Sequence, residues 1–262
     1  IIGTIIISLY RETSFLPREF ILFRNYIELF KDQGFRQSTL FTLLFILFAV
    51  PLELILGLAF ALLLNESLPL RGILRAVILI PWAIPTAISA RTWELIYNFN
   101  YGLANFIFLK LNMISGPVNW LGTNLGAFTA LVIADAWKTT PFVTIIILAG
   151  LQAIPKELYE QAKIDRANIF QTFYWITLPL IKPVIIVSLL FRTIDSVRIF
   201  DIVYVLTGGG PGGTTSSISL FAFKYFISGD FGYASAASVI LFIIAFILSF
   251  MYIKLGRFGD DI

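Results

Sequence analysis

The chain has 262 residues, 58% of them apolar, and its mean hydropathy of +0.87 lies far above that of a soluble domain. It contains no cysteine and no histidine, which excludes disulfides and thiol chemistry and argues against a zinc or iron site. The formal net charge is only +3 and no basic run suggests nucleic acid; carboxylates alone make a poor hydrolase.

Ile1–Leu9 is apolar but too short to cross a bilayer. Without a basic leader or a cleavage site, it reads as the tail of a truncated first transmembrane helix. Tyr10–Gln37 is polar and aromatic and suits an external segment, within which the run NYIELF predicts a short interfacial helix. Ser38–Leu64 is the first full span, about 40 Å long as a helix. Pro51 is expected to kink it, and Glu53 to face protein, because a carboxylate facing lipid is expensive. Asn65–Arg75 reads as a short turn carrying Arg71 and Arg75. Ile73–Tyr97 spans back, bent or partly unwound at Pro81 and Pro85, with Arg91 and Glu94 spaced to pair. Asn98–Asn124 is a second external segment, with turn signals at Tyr101-Gly102 and Gly116-Pro117. Leu125–Gly150 is the next span and contains Asp135 and Lys138.

Leu151–Pro183 is the longest polar island between two strongly apolar runs. Pro155 fits the first helical position, and Glu157 places negative charge in the first turn. Leu158, Ala162, Ile169 and Phe173 recur at three- to four-residue steps, allowing one bend, while Glu160, Lys163 and Asp165-Arg166 keep the other face wet. The pattern predicts an amphipathic helical hairpin at a membrane surface, stopped by Pro179, with Pro183 opening the next apolar run. Val184–Leu206 follows as a span bearing Arg192, Asp195, Arg198 and Asp201 at three-residue steps. Such steps drift by about 60° around a helix, so the four cannot all face one cavity. Thr207–Thr215, TGGGPGGTT, reads as a flexible external loop that lacks the Lys-Ser/Thr ending of a P-loop. Phe231–Lys254 is the last span, with Lys254 and Arg257 marking its inner end. Five full spans and one truncated span give six helices with both ends inside. Eight Lys/Arg in inner segments against seven in outer ones support this only weakly.

The run YEQAKIDRAN, followed by ITLP, resembles the cytoplasmic coupling loop of ABC importer permeases. That family shows Glu-Ala-Ala, then Asp-Gly-Ala, then an apolar-Thr-Leu-Pro phrase. The matching positions are Glu160, Ala162, Asp165, Ala167 and Ile176-Thr177-Leu178-Pro179, while Gln161 replaces an alanine and Arg166 replaces the glycine. Arg166 either keeps negative φ or alters the docking geometry, since a side chain is penalised at φ > 0. VPLELILGLAFALLLN, ILIPWAIPTAISA, DAWKTTPF and FDIVYVLTGGGP extend the resemblance over nearly the whole chain, to the maltose- and trehalose-type branch.

The resemblance implies an all-α membrane protein with the ABC importer permease fold, a single domain over residues 1–262 with its coupling loop at 151–183. It implies a plasma (inner) membrane location in a bacterium or archaeon. The implied partners are a second homologous permease, two ATP-binding subunits that hydrolyse ATP, an extracytoplasmic sugar-binding protein and the bilayer, with no cofactor, metal or catalytic residue. Tyr159, Glu160, Ala162, Asp165, Arg166 and Ala167 would couple to the ATPase. Asp135, Lys138, Thr139, Phe142, Arg192, Asp195, Ser196 and Ile199 would line a shared midplane cavity for a di- or oligosaccharide such as trehalose or maltose. Several of these are charged where the family favours amides and aromatics, so a phosphorylated polyol such as glycerol phosphate is an alternative, as is a passive solute channel. For the charges, the competing expectation is an internal ion pair that holds helices together.

Overall fold

A computed structural model describes residues 1–66 and 69–256, so Arg257 lies outside the described residues. In chain order these form helix α1 (Ile2–Ser8), strands β1 (Tyr10–Arg11) and β2 (Glu19–Phe20), and helices α2 (Arg24–Lys31), α3 (Gln33–Asn65), α4 (Arg71–Ala83) and α5 (Thr86–Ile96). There follow α6 (Leu103–Lys110), α7 (Asn124–Gln152), α8 (Lys156–Ile164), α9 (Ile169–Thr172), a π-helical turn (Phe173–Thr177), α10 (Leu178–Val197), α11 (Asp201–Leu206), α12 (Ile218–Ile227) and α13 (Phe231–Gly256). Among the described residues four helices are long and apolar enough to cross a membrane, α3, α7, the α9–α10 run and α13. The α4–α5 pair makes a fifth candidate, bent by 91° at its break. Pro85 ends α4 there, because the residue before a proline is driven into extended conformation; Ile84 has ψ 133°.

Three expectations are corrected. Arg71 and Arg75 lie in the opening turns of α4, not in a turn. Pro179 does not stop the hairpin helix. Immediately before it the backbone widens into the π turn, in which Leu178 N–H donates to the Phe173 carbonyl, and the helix runs on through Pro179 and Pro183 to Val197. The span expected to reach Leu206 breaks at Arg198–Phe200, and α11 restarts as a separate six-residue helix.

The chain forms two compact units. Of the described residues, the first comprises Ile1–Ala49, Pro85–Asp135 and Ile194–Ile247; the second comprises those within 50–84, Ala136–Thr193 and 248–256. In the first, Leu29, Phe35, Ile218, Phe221 and Tyr233 pack with the small residues Ala222, Ala236 and Ala237. Asp32 caps the start of α3 through Phe35 N–H at 2.9 Å, and its other oxygen accepts from the Tyr225 and Tyr233 hydroxyls. Asn105 ties the second external segment together: its amide donates to the Phe99 and Val118 carbonyls and accepts from Val118 N–H and Trp120 Nε1. The glycine-rich stretch is tied by its own threonine side chains. Thr215 Oγ1 bonds to Thr207 Oγ1 and the Gly210 carbonyl, and Thr214 Oγ1 bonds to the Pro211 carbonyl.

In the second unit, Ala61, Leu64, Val143, Ile147, Leu151, Ile154 and Ile181 form the core. Two glycines let its helices approach closely. A Cβ on Gly57 of α3 would meet Val143 of α7 at 2.5 Å, and one on Gly150 of α7 would meet Val184 of α10 at 2.9 Å. Small residues at such crossings are how helices pack in lipid, where no hydrophobic force draws them together.

Candidate functional site

The 151–183 segment is a helix–turn–helix knuckle fixed by its own backbone. Pro155 is the N-cap, one position earlier than expected, and Lys156 opens α8 with Glu157 in its first turn. Leu158 and Tyr159 pack against the core of the second unit, and the Tyr159 hydroxyl reaches Thr177 Oγ1 at 3.2 Å. At the far end, Ala167 N–H donates to the Ala162 carbonyl at 2.9 Å and Arg166 N–H to the Lys163 carbonyl at 3.1 Å. That pair of bonds is the Schellman arrangement, which requires a left-handed residue at Arg166. Its φ is +55°, so the negative-φ alternative is overturned and the arginine adopts the conformation a glycine would take. Asn168 then caps α9, accepting from Gln171 N–H at 2.9 Å while the Gln171 side chain accepts from Asn168 N–H at 2.8 Å. Stability should therefore fall only at a residue that resists positive φ. Arg166→Gly is expected to melt no lower than the parent, and the β-branched Arg166→Val about 1 kcal/mol lower or more, as a thermal scan of the complex would show.

Beyond Leu158 and Tyr159, the knuckle turns large apolar side chains away from its own core. Ala162 is 6% exposed, yet Ile164 is 80% and Trp175 81% exposed, with Ile169, Phe170 and Tyr174 also open. Ile169 was expected on the same apolar stripe as Ala162; after the left-handed turn at Arg166 it is exposed where Ala162 is buried. Glu160, Asp165 and Arg166 are exposed beside this apolar tip. The arrangement is a mixed apolar and charged surface on a backbone-fixed projection.

Within the second unit, Arg192 and Glu53 form a bidentate pair, Nε to Oε2 at 2.5 Å and Nη2 to Oε1 at 2.9 Å, with side chains 5% and 0% exposed. The sequence placed Glu53 against protein but did not name this partner. Lys138 is also buried, and its Nζ donates to the Ile84 carbonyl at 2.5 Å and the Trp82 carbonyl at 3.3 Å. It thereby serves carbonyls that the 91° break would otherwise leave bare in a membrane span. Phe142 stacks on Trp82 at 5.9 Å and meets Phe191 edge-on at 6.4 Å, and Thr139 is half-buried.

Within the first unit, Asp135 and Ser196 are buried. Asp195 is more open and accepts from Arg198 Nη2 at 2.6 Å and Nε at 3.2 Å. Ile199 is buried, and its carbonyl accepts from Ser217 Oγ at 2.7 Å. Arg91 and Glu94 pair as their spacing suggested, on an exposed face.

Comparison with known proteins gives a consistent result. The family described as "Binding-protein-dependent transport system inner membrane component" matches residues 53–257. The trehalose/maltose transport system permease protein of Thermococcus litoralis is 56% identical over 262 residues, all of this chain and 88% of that protein. The trehalose transport system permease protein of Mycobacterium tuberculosis is 36% identical over 253 residues, 95% of this chain and 80% of that one. Among solved structures, a bacterial ABC transporter involved in the import of the acidic polysaccharide alginate aligns with a TM-score of 0.83 at 23% identity, covering 99% of this chain and 90% of its own.

Proposed function

The chain belongs to the binding-protein-dependent transport system inner membrane components, and from that premise we propose how it works as the permease subunit of an ATP-driven sugar importer. It is a multi-pass protein of the inner membrane and a transport component. The observation that carries the coupling half of the reading is the knuckle: a capped, backbone-fixed projection whose exposed apolar tip has no use inside a lone permease. Tyr159, Glu160, Ala162, Asp165, Arg166 and Ala167 seat it in an ATP-binding subunit. Two such subunits hydrolyse the ATP, a second homologous permease completes the pathway, and an extracytoplasmic binding protein delivers the substrate. A passive channel would have no need of such a projection.

The substrate is a di- or oligosaccharide of the trehalose or maltose class, as the names of the relatives suggest. The charges fit sugar better than a phosphorylated polyol, because Arg192 and Lys138 are engaged by Glu53 and by backbone carbonyls. We assign those two cations to holding helices. Contact with sugar hydroxyls is assigned, in the first unit, to Asp135, Asp195 and Ser196; in the second unit Thr139 offers a hydroxyl and Phe142 an apolar ring face to substrate. Ile199 contributes bulk.

Asp195→Asn is the discriminating variant. It keeps the shape and one acceptor, so assembly and melting temperature should stay as in the parent. Loss of one charge-assisted hydrogen bond, worth about 1.5–3 kcal/mol, should lower sugar uptake about tenfold or more. A well-assembled Asp195→Asn complex that transports at full rate removes Asp195 from the substrate site. A fall in stability with unchanged selectivity would instead make its pairing with Arg198 structural.

A further inference from the structure

Arg71 and Arg75 sit one helical turn apart at the start of α4, both half-buried. They converge on Gln152, the last residue of α7. With its amide turned so that the oxygen faces the guanidinium groups, Gln152 accepts from Arg71 Nη2 at 2.8 Å and from Arg75 Nη2. One neutral oxygen therefore serves two positive charges, and no ion pair joins either arginine to a carboxylate among the described residues. The Nε–H groups of both arginines are sealed from solvent and have no acceptor among the described residues. A guanidinium normally aims its fork at a carboxylate or a phosphate, and an enclosed N–H without an acceptor is a rarity that calls for a partner.

The same place carries more positive potential. Among the described residues α4 begins after Leu70 with no side-chain cap, and this is the positive end of a 13-residue helix. Its flank is apolar and exposed, at Leu70, Ile73, Leu74, Val77 and Ile80. A basic pair at the end of a membrane span, bordered by an apolar stripe, matches the surface of a lipid at headgroup depth.

We propose that Arg71 and Arg75, with the uncapped start of α4, bind the phosphate of an anionic phospholipid headgroup. The phosphate oxygens accept from the Nη–H groups of the two half-buried arginines that Gln152 leaves unserved, and the acyl chains run along the exposed face of α4. Gln152 lies four residues before α8, so an occupied site steadies the junction at which the span passes into the knuckle.

The test uses the purified importer complex in nanodiscs of phosphatidylcholine, with or without phosphatidylglycerol, followed by thermal melting. The parent should melt several degrees higher with phosphatidylglycerol, and Arg71→Gln with Arg75→Gln should lose at least half of that gain. No gain in the parent, or an undiminished gain in the double variant, overturns the proposal. A full gain from inorganic phosphate in phosphatidylcholine discs would reassign the site to a soluble anion and overturn the lipid source. If the glutamine variant does not assemble, Arg71→Lys with Arg75→Lys keeps the charge but loses the fork. A reduced gain is then expected, and an equal gain contradicts the site. Protection of both arginines from a dicarbonyl reagent without anionic lipid, seen only when the ATP-binding subunits are present, would assign them to a partner's carboxylate instead.

Discussion

Replacing Glu53 by glutamine is expected to destabilise the protein by about 3–5 kcal/mol, the largest single effect anywhere in the chain. The carboxylate is 0% exposed and receives both arms of the Arg192 fork. Its loss leaves a guanidinium buried in a membrane span with a neutral acceptor in place of an anion. Arg192→Gln should be as damaging from the other side. Replacing both together, Glu53→Leu with Arg192→Met, removes the unpaired charge and should recover much of the loss, because an apolar pair of similar volume avoids the desolvation penalty. Melting of the assembled complex across these variants measures the coupling directly. Singles as stable as the parent would mean that the pair holds nothing together.

The second large effect lies at the knuckle, where two neighbouring positions separate folding from docking. Ala162 is enclosed, so Ala162→Phe overpacks the hairpin and should cost about 1–3 kcal/mol, shifting the tip and lowering both assembly and transport-linked ATP hydrolysis. Glu160 is exposed, so Glu160→Lys should leave the melting temperature unchanged while reversing a charge at the contact surface. Its coupled ATP hydrolysis should fall about tenfold or more, which corresponds to roughly 1.4 kcal/mol at the interface. If both variants assemble and couple normally, the hairpin is not the coupling element.

Much of this fold is legible in the residues because lipid imposes a simple rule: long apolar runs become helices with every backbone group paired internally. The expected spans at 38–64, 125–150 and 231–254 lie within Gln33–Asn65, Asn124–Gln152 and Phe231–Gly256. Pro85 marked the α4–α5 break, though not its 91° angle, whereas Pro81 lies inside α4. What stayed hidden depends on context that local pattern lacks. The π turn ahead of Pro179 is a change of hydrogen-bond register with no residue signature of its own. Helix α12, ten residues long, is too short to read as a span and follows a glycine-rich stretch that looks like open loop. Arg166 gave a sharp alternative, and only the backbone decided it, through two Schellman bonds. Glu53 and Arg192 lie 139 residues apart, and no periodicity reveals which helices will bring such a pair together. The convergence of Arg71 and Arg75 on Gln152 was unreadable for the same reason.

The central claim is that this chain moves sugar only as part of a machine driven through the knuckle. The most direct measurement is uptake of labelled trehalose or maltose into proteoliposomes holding the complete complex, with ATP, binding protein and the 160 position varied one at a time. Uptake should require ATP and binding protein together and should collapse in Glu160→Lys without loss of the assembled complex. Sugar entering at an undiminished rate without ATP, or through the Glu160→Lys complex as fast as through the parent, would contradict it.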